Sequence, residues 1–155
     1  MTIHAHQDQI TRVIELAASI ERVWLAVTDH DEFGRWFRVH LDNPFRVGET
    51  TTGHMTLPGL EHVAWASLTE QIEHERLFVF SWPPTAVDLE TTYSPNAKVR
   101  VEFRFEQIAD NRTRLTITES GFLQFPELKR LDILRSNTEG WNTQARNIAA
   151  HVEHK

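Results

Sequence analysis

The sequence predicts an α+β domain in which one long C-terminal helix closes a curved antiparallel sheet, with a short helical pair after the first strand. Two patterns carry this. Between Leu131 and Val152, apolar or small residues recur at Leu134, Thr138, Trp141, Ala145, Ile148 and Val152. The steps alternate four and three, the spacing of one face of an α-helix. Upstream, Val99, Val101, Phe103 and Phe105 alternate with Arg100, Glu102, Arg104 and Glu106. That period of two describes a half-buried strand with a solvated charged face. A long helix laid over a curved sheet makes a hollow, and function is expected there.

The elements follow in order. Ile10 to Ala17 reads as the first strand, with Ile10, Ile14 and Leu16 on one parity and Val13 on the other. Ser19 is a good N-cap for a helix carrying Ile20, Val23, Trp24 and Val27, because its hydroxyl can accept a first-turn N–H. Asp29 or Asp31 caps a second short helix with Phe33, Trp36 and Phe37, which Gly34 weakens. Pro44 ends this unit, and Phe45 to Glu49 leads into a β-branched stretch, Thr50 to Thr56. Pro58-Gly59 marks a turn. His62 to Glu73 and Leu77 to Trp82 are the next strands, and Pro83-Pro84 breaks the ladder for want of an N–H. Thr85 to Asn96 reads as a loop. After the Val99–Glu106 strand, Asp110-Asn111 turns the chain, and Arg114 to Glu119 returns with Leu115 and Ile117 inward. Gly121 and Pro126 precede a helix from about Leu128 to Glu153, roughly 39 Å long at 1.5 Å per residue. Such a helix can cross a six- or seven-stranded sheet.

Residues 1–155 fit one domain, with the core over about 10–153. The net charge of −6 argues against a phosphate-backbone partner, so no nucleic acid is expected. Met1 to His6 has no apolar run resembling a signal peptide, and no stretch is long and apolar enough for a membrane span. Zero cysteines exclude disulfides, thiolate nucleophiles and zinc–thiolate sites, and cytoplasm is the expected location.

Several segments, in order, resemble a known family: Ala18-Ser19-Ile20-Glu21-Arg22-Val23-Trp24 followed by Trp36; Phe45-Arg46-Val47-Gly48; Glu75 to Trp82; Thr113 to Phe122; and Gly140-Trp141. Over about Thr11 to Val152 the chain looks like the family of proteins similar to the activator of the heat-shock protein 90 ATPase, within the START-like (SRPBCC) superfamily. The resemblance implies a helix-grip fold and a cavity that receives a hydrophobic small molecule. It is compatible with a chaperone partner, a stress-response role or a homodimer, and fold alone does not choose an activity. Ala145 departs from it, standing where such helices often carry a larger aliphatic residue.

Nine histidines raise the question of a metal. His4 with His6, and His151 with His154, lack further ligands at recognisable spacing, so neither metal nor cofactor is expected. His54 and His62 flank the Pro58-Gly59 turn and are placed to face each other across a hairpin. Ser67, Ser81 and Ser120 carry no nucleophile motif, and no catalytic residue is assigned. Glu119 shares inward parity with Leu115 and Ile117. It is either a polar anchor, or general acid or base, in the hollow, or a strand-end residue that reaches solvent or a helix N-terminus, and the strand-end position favours the latter. Trp36, Trp65, Phe80, Trp82, Phe103, Phe122 and Trp141 complete the candidate cavity wall. Gly140, beside Trp141, either lets the helix approach the sheet closely or is merely tolerated. The expected function is apolar-ligand binding. The alternatives are a cyclase, dehydratase or hydrolase using polar cavity groups, and a co-chaperone-like interaction module.

Overall fold

The computed structural model describes residues 3–88 and 90–153; Met1, Thr2, Leu89 and His154 of the segments read above lie outside that set. The strands are β1 (Gln9–Leu16), β2 (Val39–Leu41), β3 (Thr50–Met55), β4 (Ala64–Glu73), β5 (Leu77–Trp82), β6 (Val99–Ala109) and β7 (Arg112–Ser120). The helices are α1 (Ile20–Thr28), α2 (His30–Phe37) and α3 (Glu127–Val152). The seven strands form one curved antiparallel sheet in the order β1-β7-β6-β5-β4-β3-β2. This is the helix-grip arrangement the sequence predicts.

α3 runs unbroken for 26 residues. Leu134, Trp141, Ala145, Ile148 and Val152 are its buried residues, which matches the four–three periodicity. Val99, Val101, Phe103 and Phe105 are buried; Phe103 meets Trp141 of α3, centroids 6.1 Å apart, while Phe105 packs edge-on against Trp24 of α1 at 4.9 Å. On the other face of β6, Glu102 takes ion pairs from Arg100 and Arg104 at 3.2 and 2.7 Å. Burying four apolar side chains of β6 gives about 1.5–3 kcal/mol each, which fixes the register, since a one-residue slip would bury the charges instead.

The local signals have identifiable partners. Ser19 Oγ accepts the Arg22 N–H at 3.2 Å. Asp29, not Asp31, caps α2, its carboxylate accepting the Glu32 N–H at 3.0 Å. Pro83-Pro84 ends β5 in a short 3₁₀ turn, Pro84–Ala86.

Two expectations need correction. β2 is a strand the sequence did not suggest, because three residues are too few for a periodic pattern. It pairs with β3 through Val39–Met55, His40–His54 and Leu41–Gly53. His54 therefore faces His40, ring centroids 5.3 Å apart, rather than His62. Gly34 also has a stronger role than a weak helix former: a Cβ there would sit 2.3 Å from the Val39 carbonyl oxygen. The glycine is what lets α2 turn tightly into β2.

Candidate functional site

Glu119 is the most informative side chain. β7 turns Thr113, Leu115, Ile117 and Glu119 to the same buried face. Thr113 satisfies its hydroxyl by donating to the Ala18 carbonyl at 2.9 Å. Glu119 is 0% exposed, so the strand-end expectation that it reaches solvent is overturned. The strand continues to Ser120, pairing Glu119 with both Ile10 and Val101, and this holds the carboxylate inside.

Three N–H donors reach it. Trp141 Nε1 and Asn137 Nδ2 donate to Oε1 at 2.9 and 3.0 Å, and Trp82 Nε1 donates to Oε2 at 3.2 Å. Burial pushes the Glu119 carboxyl above the ordinary carboxylate range, and the bonds from Trp141, Asn137 and Trp82 oppose that shift without cancelling it. A buried carboxylate is normally paired with a cation or protonated. Here the groups acting on it are all neutral among the described residues.

The carboxylate lies on the wall of a recess of about 260 Å³ that opens to solvent. Phe37, Trp82, Val87, Gly140 and Trp141 supply most of its apolar wall, and Ser136, Asn137 and Gln144 its neutral polar groups. Phe37 arrives from the end of α2, where Arg38 in the left-handed region (φ 69°) turns the chain. Gln144 Nε2 donates to the Phe37 carbonyl at 3.3 Å and ties α3 to that corner. A Cβ on Gly140 would meet nothing within 4 Å. The close-approach alternative is therefore excluded and the tolerated-glycine alternative stands, with Gly140 on the lining of the recess.

Trp82, Glu119 and Trp141 are thus the predicted residues that the structure brings together. The others fill the interior rather than line the recess. Trp36 donates its indole N–H to the Ala26 carbonyl at 2.8 Å. Trp65 donates to Ser67 Oγ at 3.0 Å and stands edge-on behind Trp82, centroids 5.2 Å apart. Phe80 packs on Phe78 and Phe103, and Phe122 on Phe125. Close ring packing consumes much of the expected hollow, so the recess falls just below the roughly 300–1,000 Å³ expected for drug-sized ligands. Asn137, Gly140 and Gln144 were not read as wall residues together. They lie three and four residues apart around Trp141, a mostly polar stripe beside the apolar one, and that spacing was available in the sequence. Val87 sits in a loop and had no signal.

Among the described residues, Glu119 is the one titratable group on this wall. No cluster of three or more His, Asp or Glu side chains suited to a metal occurs among the described residues. No described helix is long and apolar enough to cross a membrane.

Comparison with known proteins places this geometry in context. The sequence model of a protein family, "Activator of Hsp90 ATPase homolog 1-like protein", matches residues 17–153. A search among curated proteins found no match. Among solved structures, a protein from Arthrobacter aurescens superposes with TM-score 0.76 at 18% identity, over 98% of this chain and 90% of that one. The Aha1 dimer from Colwellia psychrerythraea gives TM-score 0.70 at 16% identity, over 96% and 98%. DynU16, a protein of the dynemicin biosynthetic locus, gives TM-score 0.70 at 18% identity. The match covers 96% of this chain but only 48% of DynU16. At these identities the likeness is one of fold.

Proposed function

The chain belongs to the family of activator of Hsp90 ATPase homolog 1-like proteins, and from that premise we propose that it acts as a single START-like domain binding a small, largely apolar molecule in the recess at Trp82, Glu119 and Trp141. One observation carries the reading: a fully buried carboxylate, held by three N–H donors, lies on the wall of an open recess otherwise lined by rings and neutral amides. Recesses of this kind, apolar with a few convergent polar groups, are where small ligands bind. The volume of about 260 Å³ suits a compact metabolite better than a lipid. The predominance of neutral lining groups favours binding over acid–base chemistry, which needs partners converging on a reacting atom. A cytoplasmic setting fits the absence of cysteine. A homodimer, as the Colwellia Aha1 forms, is the assembly to look for first.

Gly140 supplies the test. Gly140→Ala should stabilise α3 by about 1 kcal/mol, while Gly140→Leu should fill the recess without touching the core. An apolar fluorescent probe should bind wild type near one to one, bind Gly140→Leu weakly, and bind an Arg104→Ala control normally. Equal binding to wild type and Gly140→Leu would place the probe elsewhere and defeat the proposal.

A further inference from the structure

We propose that the ligand taken by this recess is an organic cation, a substituted or quaternary ammonium, whose charge sits among the rings of Phe37, Trp82 and Trp141, in front of the buried Glu119 carboxylate. The inference rests on the recess reading above and specifies its ligand class.

Charge complementarity is the first argument. Glu119 is fully buried and no basic side chain acts on it among the described residues. The groups nearest it on each packed element are uncharged: Ile10 on β1, Val101 on β6, Trp82 on β5, and Asn137 and Trp141 on α3. The protein carries 16 Lys and Arg, yet none among the described residues supplies the counter-charge. A guest cation would supply it. The three N–H donors favour the ionised carboxyl, the form a cation requires.

The wall chemistry is the second argument. Three of the nine lining residues are aromatic, and the polar remainder, Ser136, Asn137 and Gln144, is neutral. Ring faces attract cations through their quadrupoles, and alkylammonium groups, being weakly hydrated, gain most from such cages. An anion would meet Glu119 unfavourably. A neutral ligand would gain nothing from the carboxyl's charge. The net charge of −6 adds a long-range pull on cations and none on neutral molecules.

Binding is proton-linked in this scheme. Where Glu119 holds its proton in the empty protein, entry of a permanent cation expels that proton to the buffer, leaving a carboxylate–ammonium pair. Affinity for such a cation therefore rises with pH until Glu119 is ionised in the free protein.

Choline and its neutral isostere 3,3-dimethylbutan-1-ol are the probes, titrated into wild type by calorimetry between about pH 5 and about pH 8 in buffers of different ionisation enthalpy. Choline should bind at least about tenfold more tightly than the alcohol at the upper pH. Its affinity should rise with pH, with net proton release visible from the buffer dependence. In Glu119→Gln, if folded by circular dichroism, the preference should vanish. The wild-type ratio and proton release decide the matter even if that variant does not fold. Equal affinities for the two probes, or choline binding without pH dependence or proton release, would overturn the cation assignment and leave the recess reading standing. Failure of both probes while the apolar dye still binds in a Gly140-dependent way would also overturn it. Failure of all three would remove the recess reading itself.

Discussion

Replacing Trp141 by Phe isolates the hydrogen bond on which the Glu119 environment depends. Trp141 is 5% exposed and packs edge-on against Phe37 and Phe103, with centroids 6.2 and 6.1 Å away. Phenylalanine preserves much of that packing but removes the N–H that reaches Glu119 Oε1 at 2.9 Å. A hydrogen bond to a neutral group is worth about 0.5–1.5 kcal/mol, and one to a charged group about 1.5–3 kcal/mol. The cost of Trp141→Phe should therefore depend on the protonation of Glu119. The folded-state pKa of Glu119 lies above the unfolded value of 4.5. Below 4.5 both states hold the proton and the carboxyl makes no pH-dependent contribution. As pH rises from there towards the folded pKa, the unfolded chain ionises first and the native state loses stability. Removing a donor raises the folded pKa further and deepens that loss. Urea unfolding followed by far-ultraviolet circular dichroism should show the variant's penalty growing by about 1–1.5 kcal/mol from acid to alkaline pH. In a Glu119→Gln background the growth should disappear. A penalty constant across pH, or the same growth without the carboxyl, would refute the reasoning.

Other perturbations follow from the same structure. Gly53→Ala places a Cβ 1.9 Å from the His40 carbonyl oxygen, so β2 must detach from β3; hydrogen exchange should show Val39–Leu41 and Thr50–Met55 losing protection while β6 and β7 keep theirs. Burial works to raise the Glu32 pKa, but bonds from Arg22 (2.5 Å) and His151 (2.8 Å) prevail and lower it. Its stabilisation is present above pH 4.5 and lost as pH falls through the depressed pKa, so Glu32→Gln should cost about 1–3 kcal/mol at neutral pH and little in acid. Tyr93 is the one tyrosine in the chain, and burial together with its bond to Asp88 (2.8 Å) pushes its pKa up to about 12. Tyrosinate absorbance should titrate there in wild type and move towards 10.0 in Asp88→Asn.

The parts of this fold legible in the sequence were those with a repeating constraint. α3 and β6 each bury one face, and burial imposes a period that survives in the residue order. The caps at Ser19 and Asp29 were legible because a hydroxyl or carboxylate before an apolar run has few other uses. β2 was not, because three residues cannot display a period and its evidence sits elsewhere, in Gly34 and Gly53, whose missing Cβ atoms only make sense once the strands are placed. The site divided the same way. Parity pointed Glu119 inward, but the strand's continuation to Ser120, which decides whether that parity holds, comes from pairing with β1 and β6. The aromatic residues were recognisable as a set. Which of them would face space and which would face each other depends on close packing between elements distant in sequence, and no local pattern encodes that.

The strand order has a bearing on how the chain comes off the ribosome. β1 and β2 are consecutive strands, yet they occupy opposite edges of the sheet. β1 pairs only with β7, and the bond that seals this end, Thr113 to Ala18, joins residues 95 apart. At about 5–20 residues per second, the first strand waits on the order of 5–20 s for its partner to be synthesised. The meander from β3 to β7 can zip sequentially as it emerges, each hairpin closing on its neighbour. α3 is made after all of them. Until it docks, the faces of Val101, Phe103, Leu115 and Ile117 stand bare, with the Glu119 carboxylate still open to water. The interval between completion of β7 and docking of α3 is therefore when the nascent chain is most adhesive, and the last helix acts as the step that ends it.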